Sequence, residues 1–179
     1  WSRGLGDVYK RQEEFNAKQV IGIAELTLEA ITPHVRIVEL DCADTEVNSV
    51  KYNRQDISFT LSDGMLITEI PSSPIPGKPF KLVIDYVSTP SKGIYFTGPD
   101  DDYPDKPLQV WTQGQDTNNH NWFPCIDEPR GRLTSEIVVT VPCGWTAVSN
   151  GRLISERSNR SKGTKTFHWL QDREHAVYL

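Results

Sequence analysis

Short runs of β-branched and aromatic residues, each closed by turn residues, recur along this chain and limit the folds open to it more than any other feature. Apolar and polar residues alternate over residues 57–62 and 80–86, which is the period of a half-buried strand. Asp63-Gly64 and Asn150-Gly151 are typical of hairpin turns, because glycine tolerates the positive φ that tight turns require. Long windows lack the apolar spacing of an amphipathic helix. The sequence therefore predicts an all-β domain with little helix.

Other segments extend this pattern. Further strands are predicted in the same way at residues 65–70, 136–141, 145–149 and 152–155. The last two flank Asn150-Gly151 as a hairpin. Residues 19–30 and 35–42 are also strand-like, but their apolar residues change parity midway, which indicates a bulge, a twist or burial on both faces. The stretches 71–79 and 98–107 are rich in proline and glycine and are predicted to be loops.

The composition excludes several classes of protein. With 179 residues, the chain is long enough for one domain. Its net charge is -5 and its 19 Lys and Arg residues are scattered, so nucleic acid is not an expected partner. Apolar runs fall far short of the ~20 residues that a membrane-spanning helix needs. The 3 cysteines are widely spaced without a C-x-x-C pair, which argues against a disulfide framework or a cysteine zinc site and leaves the compartment open.

Residues 1–12 differ from the remainder of the chain. They match no periodic pattern and lack the apolar segment of a signal peptide. We expect this stretch to be a non-native or disordered leader with no role in the fold. The β domain is predicted over residues 13–179, and it can be incomplete at its C-terminal end.

A search of the sequence for catalytic groups returns little. The 4 histidines are far apart, and none belongs to an H-E-x-x-H sequence that would place two imidazoles on one helix face around zinc. The G-x-S-x-G elbow and the glycine-rich phosphate loop are also absent from the sequence. We therefore assign no catalytic residue and no metal ligand to this chain, and we expect it to bind no cofactor by itself.

One region differs from the background of strands and turns. It consists of W-T-Q-G-Q at residues 111–115, followed by W-F-P-C-I-D-E-P at residues 122–129. Its simplest interpretation is a structured loop, with Trp122 and Phe123 anchored in the core and Asp127 hydrogen-bonded to nearby amides. The two adjacent carboxylates of the second run would diverge on an extended chain, which is a poor start for an acid/base pair.

The order of these elements is more specific than any one of them. T-Q-G-Q at 112–115, F-P-C-I-D-E-P at 123–129, a strand ending in Val141-Pro142 and A-V-S-N at 147–150 together resemble the amino-terminal domain of the aminopeptidase N family of zinc metallopeptidases. Gly93-Ile94-Tyr95 is similar to a Gly-x-Tyr that precedes this region in the family.

The resemblance covers residues 18–179 and implies a saddle-like domain of twisted antiparallel and mixed sheets, similar to a β-sandwich. In the family, such a domain packs on a thermolysin-like catalytic domain, which would follow residue 179. The whole enzyme removes single amino-terminal residues from peptides. The resemblance thus implies zinc in the parent enzyme, a peptide with a free amino terminus as substrate, and a fragment that is inactive alone.

The same resemblance implies substrate-binding roles for Gln113 and Gln115. The family position that matches Gln113 lines the pocket for the first side chain of the substrate. The position that matches Gln115, often Glu in the family, helps to hold the free α-amino group. An ammonium carries only donors, and a glutamine amide oxygen can accept from it. The alternative is that both glutamines are simply exposed strand or loop residues.

The chain departs from the family pattern at one place. The family has an arginine a few residues before Phe-Pro-Cys, where this chain has Asn119-His120-Asn121-Trp122. The departure puts the local salt bridges in question, and not the fold. We expect His120 to be a structural substitute for that arginine rather than a metal ligand.

Two other functions stay open at this point. Some relatives with this domain serve as interaction scaffolds after losing the zinc motif. The sequence beyond residue 179 would distinguish them, because an enzyme needs G-x-M-E-N followed by H-E-x-x-H. The third hypothesis is an independent β-sandwich module for adhesion or carbohydrate binding, with a stacking platform made of Trp111, Trp122, Trp145 and Trp169. Tryptophan in a β domain is more often part of the core.

Overall fold

The computed structural model describes residues 5–9 and 17–179, and these residues form strands joined by turns and loops. The strands, in chain order, are β1 (Leu5–Tyr9), β2 (Val20–Glu29), β3 (Ile37–Asp41), β4 (Thr45–Tyr52), β5 (Gln55–Ile57), β6 (Phe59–Ser62), β7 (Met65–Glu69), β8 (Pro79–Ser88), β9 (Ile94–Thr97), β10 (Gln109–Thr112), β11 (Leu133–Pro142), β12 (Arg152–Asn159) and β13 (Thr164–His175). A short 3-10 helix lies at Asn119–Asn121. In the described ranges, no helix is long and apolar enough to span a membrane.

Eight of the strands form one sheet in the order β12-β13-β11-β1-β2-β8-β4-β5. Neighbours in this sheet are antiparallel except β1 and β11, which are parallel, so the sheet is mixed. A three-stranded sheet has the order β3-β7-β6, and β9 pairs with β10 as a separate ribbon. The predicted all-β architecture, with antiparallel and mixed sheets and little helix, is confirmed.

The main hydrophobic cluster joins the large sheet to the three-stranded sheet. Every second residue of β2 and β8 is buried, so that cross-strand pairs such as Leu26 and Leu82 face the same side. Leu40 and Leu66, an opposed pair of β3 and β7, are fully buried in the same cluster. Burial of one such side chain contributes about 1.5–3 kcal/mol, so this cluster is the main source of stability.

The changes of parity among the apolar residues of 19–30 and 35–42 come from isoleucines on the open faces of the strands. Ile23 of β2 and Ile37 of β3 lie on the open faces of their strands and are 41% and 60% exposed. β2 pairs with β8, and β3 with β7, without any shift of register. Of the three alternatives, burial on both faces is therefore wrong for both strands. The bulge alternative agrees with β2, whose pairing with β1 has a shift of register.

Most of the other predicted strands and loops are confirmed. The strands expected from the sequence correspond to β7, β8, β11 and β12. The strand predicted over 57–62 is instead two strands, because β5 ends at Ile57 in the large sheet and β6 begins at Phe59 in the small one. The carbonyl of Ser58, between them, accepts a 2.7 Å hydrogen bond from Thr68 Oγ1.

The two predicted hairpins have different outcomes. Asp63-Gly64 joins β6 to β7 with positive φ at both residues, as expected for a tight turn. Asn150-Gly151 does not form a hairpin, because residues 145–149 are a loop and β12 pairs with β13. Trp169 Nε1 donates a 3.2 Å hydrogen bond to the carbonyl of Ala147. A side chain, and not a neighbouring strand, thus satisfies the Ala147 carbonyl of this loop.

A strand also occurs where none was predicted. Leu5–Tyr9 forms β1 between β11 and β2, within the stretch that we expected to have no role in the fold. Residues 1–4 and 10–16 lie outside the described residues, and the rest of the expectation for residues 1–12 falls there.

Candidate functional site

The two glutamines identified in the sequence lie at the end of β10. Gln113 directly follows this strand, which pairs residue by residue with β9. Both Gln113 and Gln115 are exposed, whereas Gly114 between them is buried. Their side chains make no hydrogen bond to another described residue, so their amide groups are available to a ligand.

Gly93 holds residues 113–115, here called the glutamine segment, from one side. Its carbonyl accepts a 2.8 Å hydrogen bond from the backbone amide of Gln113. Gly93 has a φ of 80°, and a β-carbon there would lie 2.0 Å from the carbonyl oxygen of Asn118. Only glycine fits both the conformation and the space. Next to it, Tyr95 stacks on its cross-strand partner Trp111 with ring centroids 4.5 Å apart. The Gly-Ile-Tyr sequence is therefore a structural support for the glutamines.

Asn118 holds the same segment from the other side. Its backbone amide donates to the carbonyl of Gly114 at 2.9 Å, and its side-chain Nδ2 donates to the carbonyl of Gln115 at 2.8 Å. The peptide bond between Gln115 and Asp116 is cis. Sequence reasoning assigned no role to Asn118, and the only available signal was the tendency of asparagine to bond to the backbone in turns.

Gln113 lines a cleft of about 740 Å³. The walls of this cleft come from β10, β11, the loop at 145–150 and the last residues of the chain, 175–179. Among the residues that the structure describes, none that lines the cleft is Asp, Glu, Lys or Arg, although charged residues make up 24% of the chain. Gln115 is not among the residues that line this cleft. The structure therefore places both glutamines at the surface but brings only Gln113 onto the cleft.

Asp127 and His120 form a partly buried hydrogen-bonded pair that fastens the loop containing Phe123-Pro124-Cys125, here called the Phe-Pro-Cys loop. His120 donates to Asp127 Oδ2 from its ring Nδ1 at 2.8 Å and from its backbone amide at 3.1 Å. The backbone amide of Asp127 donates to Asp41 Oδ2 at 2.8 Å. Asp127 Oδ1 is buried and has no hydrogen-bond partner in the described part of the chain. The hydrogen bonding expected for Asp127 is observed, and His120 occupies a structural position.

Trp122 and Phe123 lie in the core, as the loop interpretation predicted. Burial raises the pKa of the Cys42 thiol to about 11. Burial, together with the carboxylates of Asp127 and Asp41, raises the pKa of Cys125 well above its ordinary value. Both thiols therefore stay protonated near neutral pH, which is unsuitable for a nucleophile or a metal ligand.

The described residues do not form the other two kinds of site considered in the sequence. Within residues 17–179, no three His, Cys, Asp or Glu side chains come together as a metal site. Zinc therefore does not fit the part of the chain that the structure covers. Trp111, Trp122 and Trp145 line the same cleft, but Trp122 is buried in the core and only Trp111 of the four tryptophans is exposed, so the four do not form one exposed stacking platform.

Comparison with known proteins finds a matching family and solved structures with a similar fold. The model of the family described as the Peptidase M1 N-terminal domain matches residues 9–179. Solved structures of an M1 zinc metallopeptidase from Deinococcus radiodurans are similar, with a TM-score of 0.79, 20% identity, and coverage of 99% of this chain and 40% of theirs. At this identity the likeness concerns the fold alone. A mutant of that protein bound to a Tyr-Ser-Ala substrate also has a TM-score of 0.79.

Curated relatives include both enzymes and a transcription factor subunit. Aminopeptidase RNPEPL1 of Mus musculus is 31% identical over 86 residues, which are 48% of this chain and 12% of the relative. Aminopeptidase B of Rattus norvegicus is 36% identical over 69 residues, or 38% of this chain and 11% of the relative. Transcription initiation factor TFIID subunit 2 of Gallus gallus is 22% identical over 87% of this chain and 17% of its own length.

This chain thus spans less than a fifth of these curated relatives. The family match, in contrast, covers nearly the whole of it. The match includes the glutamine segment, the Phe-Pro-Cys loop and all strands from β2 to β13. The chain belongs to the family of M1 peptidase amino-terminal domains.

Proposed function

We propose that this chain is the non-catalytic amino-terminal domain of a zinc-dependent aminopeptidase, and that it contributes one wall of the cleft in which the amino terminus of a peptide binds. The observation that carries this proposal is the exposure of Gln113 and Gln115 on a backbone segment held by hydrogen bonds on both sides. Exposed polar side chains on a fixed backbone are suited to binding, because the backbone loses little conformational entropy when a ligand binds.

Gln115 has the chemistry that an ammonium group requires. The protonated α-amino group of a peptide offers hydrogen-bond donors and no acceptor, and the Oε1 atom of a glutamine is an acceptor. A neutral amide gives a weaker attraction than a carboxylate, because hydrogen bonds between two charged groups are the stronger ones. We therefore expect Gln115 to select for a free amino terminus through a hydrogen bond, without a full ion pair.

Gln113 serves the neighbouring part of the substrate in this proposal. It lines the uncharged cleft, where its side chain can contact the first side chain of the peptide. Related M1 zinc metallopeptidase structures contain L-arginine, L-tryptophan or a Tyr-Ser-Ala substrate, which supports amino acids and peptides as ligands of the fold. The zinc ligands and the catalytic carboxylate of the parent enzyme are expected outside this chain, which should be inactive alone.

Assays of the full-length parent test this proposal. We expect it to copurify with zinc and to remove the first residue from peptides with a free amino terminus, but not from their N-acetylated counterparts. The 179-residue chain alone is the control, and it should release nothing. Equal cleavage of free and acetylated peptides would contradict the proposed recognition of the amino group.

A second candidate function is that of a scaffold domain in a protein without peptidase activity. It is favoured by the match to transcription initiation factor TFIID subunit 2, which covers 87% of this chain. A parent that binds no zinc and cleaves neither type of peptide would support the scaffold. The sequence after residue 179 distinguishes the two functions directly, because the enzyme requires an H-E-x-x-H motif there.

A further inference from the structure

A buried amide group lies against the glutamine segment. Asn119, at the start of the 3-10 helix, is 5% exposed. Its Nδ2 donates to the carbonyl of Val177 at 2.7 Å, and its Oδ1 accepts a 3.1 Å hydrogen bond from the indole Nε1 of Trp122. A carbonyl can only accept and an indole N–H can only donate, so these two partners together determine the orientation of the amide.

The same amide group is in contact with Gly114. A β-carbon added at Gly114 would lie 2.6 Å from Oδ1 and 2.7 Å from Nδ2 of Asn119. The backbone of Gly114 does not have a positive φ, so its conformation alone would allow other residues. The Asn119 side chain is therefore what requires glycine at this position. Gly114, which lies between the two glutamines, therefore packs against that side chain.

We infer that Asn119 is a positioning residue for the glutamine pair. Its amide fixes the place of Gly114, and with it the direction of the side chains of Gln113 and Gln115. Asn119 is buried, lines the cleft together with Gly114, and acts on the glutamines through Gly114. This inference rests on the function proposed above for the two glutamines, and it adds a residue to which neither the sequence nor the family match assigns a role.

The chemistry of the site requires an amide at position 119. An aspartate has nearly the same shape, but it would place an acceptor oxygen against the carbonyl of Val177, where the asparagine has a donor. Two buried acceptors without a proton between them repel each other, and each loses its hydrogen bond. An alanine would leave the Trp122 Nε1 donor and the Val177 carbonyl unpaired and would remove the support of Gly114.

Asn121 provides a matched control. It lies on the same 3-10 helix and is 8% exposed, close to the burial of Asn119. Its Nδ2 donates to Asp44 Oδ2 at 3.1 Å, so its side chain holds a partner other than those of Asn119, the Val177 carbonyl and the Trp122 indole. A substitution at Asn121 therefore reports the general cost of changing a buried asparagine on this helix.

The first test measures hydrogen exchange of the Gln113 backbone amide in the chain itself. We expect Asn119→Asp to accelerate this exchange by about tenfold or more, because the bond to Gly93 opens when Gly114 shifts. Asn121→Asp should change it by less than about threefold. Equal acceleration in both variants, or none in Asn119→Asp, would overturn the inference without touching the proposed function.

The second test is a double-mutant cycle in the full-length parent. We expect Asn119→Asp to raise KM for a peptide with a free amino terminus by about tenfold, and to raise it by less than about threefold when Gln115→Ala is already present, because only Gln113 is then left to position. A merely structural residue would give independent effects, and that result would refute the positioning role. If Gln115→Ala leaves KM unchanged, the proposed function itself fails, and the two failures are thereby distinguished.

Discussion

The backbone amide of Gln113 donates a 2.8 Å hydrogen bond to the carbonyl oxygen of Gly93. The glutamine segment is thus attached to the preceding ribbon by its main chain, while its side chains extend to the surface. Substitutions of the glutamine side chains should therefore affect binding much more than folding. Substitutions of the residues that hold the main chain should affect folding much more than binding.

Gly93→Ala is expected to destabilise the domain by more than about 3 kcal/mol. A β-carbon at this position meets the Asn118 carbonyl at 2.0 Å and also occupies a positive φ, so the substitution combines strain with a clash. Thermal unfolding of the chain followed by circular dichroism measures the effect.

Gly163→Ala is the control for this experiment. Gly163 has a φ of 64°, but a β-carbon there would meet no atom within 4 Å. Its substitution isolates the conformational cost, which should be about 1 kcal/mol. If both variants lost the same stability, the contact with Asn118 would not be the reason for glycine at 93.

His120→Arg is expected to stabilise the domain by about 1 kcal/mol. The buried Oδ1 of Asp127 has no partner among the described residues, and histidine offers the carboxylate one ring donor. The guanidinium group can donate to both carboxylate oxygens in a fork. Chemical denaturation at constant pH measures the change.

The matched comparison is His168→Arg, since His168 pairs with the more exposed carboxylate of Glu136. Surface pairs contribute little, so this variant should stay within about 0.5 kcal/mol of the wild type. A loss of stability in His120→Arg would indicate that the space around Asp127 cannot hold the larger side chain.

Much of the fold could be predicted because the strand signal is local. Alternation identified β8, β-branched composition identified most of β11, and Asp63-Gly64 identified a turn whose glycine is required by its own backbone. The separation of β5 from β6 could not be predicted, because it depends on which sheet each strand joins. Residues 145–149 were assigned to a strand because their composition fits one, whereas their backbone is bonded to the distant side chain of Trp169.

The candidate site, like the fold, could be predicted only in part from the sequence. The motif identified Gln113 and Gln115, and their exposure agrees with a binding role. The roles of Asn118 and Asn119 could not be assigned from the sequence, because they depend on hydrogen bonds to the carbonyls of Gln115 and Val177 and to the indole of Trp122. Such contacts exist only once the chain is folded.

Ser91→Ala is expected to lower stability by about 0.5–1 kcal/mol near pH 7, with a loss that shrinks in acid. Burial tends to raise the pKa of Asp44, but hydrogen bonds from Ser91 and Asn121 outweigh it and hold that pKa below its ordinary value of 3.8. A carboxyl whose pKa is lowered by folding stabilises the protein above the ordinary value and loses this effect as pH falls through the folded pKa.

Unfolding free energies of the Ser91→Ala variant and the wild type should therefore converge below pH 3.8. Ser161→Ala removes an exposed hydroxyl that bonds to Asn159 Oδ1, and it serves as the comparison at each pH. A difference between Ser91→Ala and the wild type that stays constant down to pH 2 would show that Ser91 acts on something other than the charge of Asp44.

Alkylation of the native chain at neutral pH is expected to modify Cys143 alone. Cys143 is exposed, whereas Cys42 and Cys125 are buried with raised pKa values and few thiolates. Mass spectrometry should find one label on the native chain and three after denaturation. Rapid labelling of Cys125 before unfolding would show that the Phe-Pro-Cys loop opens in the native state.

The most direct test of the binding role is the KM of full-length parent variants at position 115. Gln115→Ala should raise KM for peptides with a free amino terminus by about tenfold, with little change in thermal stability, because the main-chain bond from Asn118 is kept. Gln115→Glu should lower KM, since a carboxylate attracts an ammonium more strongly than an amide does. An unchanged KM in both variants would contradict the assignment of this segment to the peptide amino terminus.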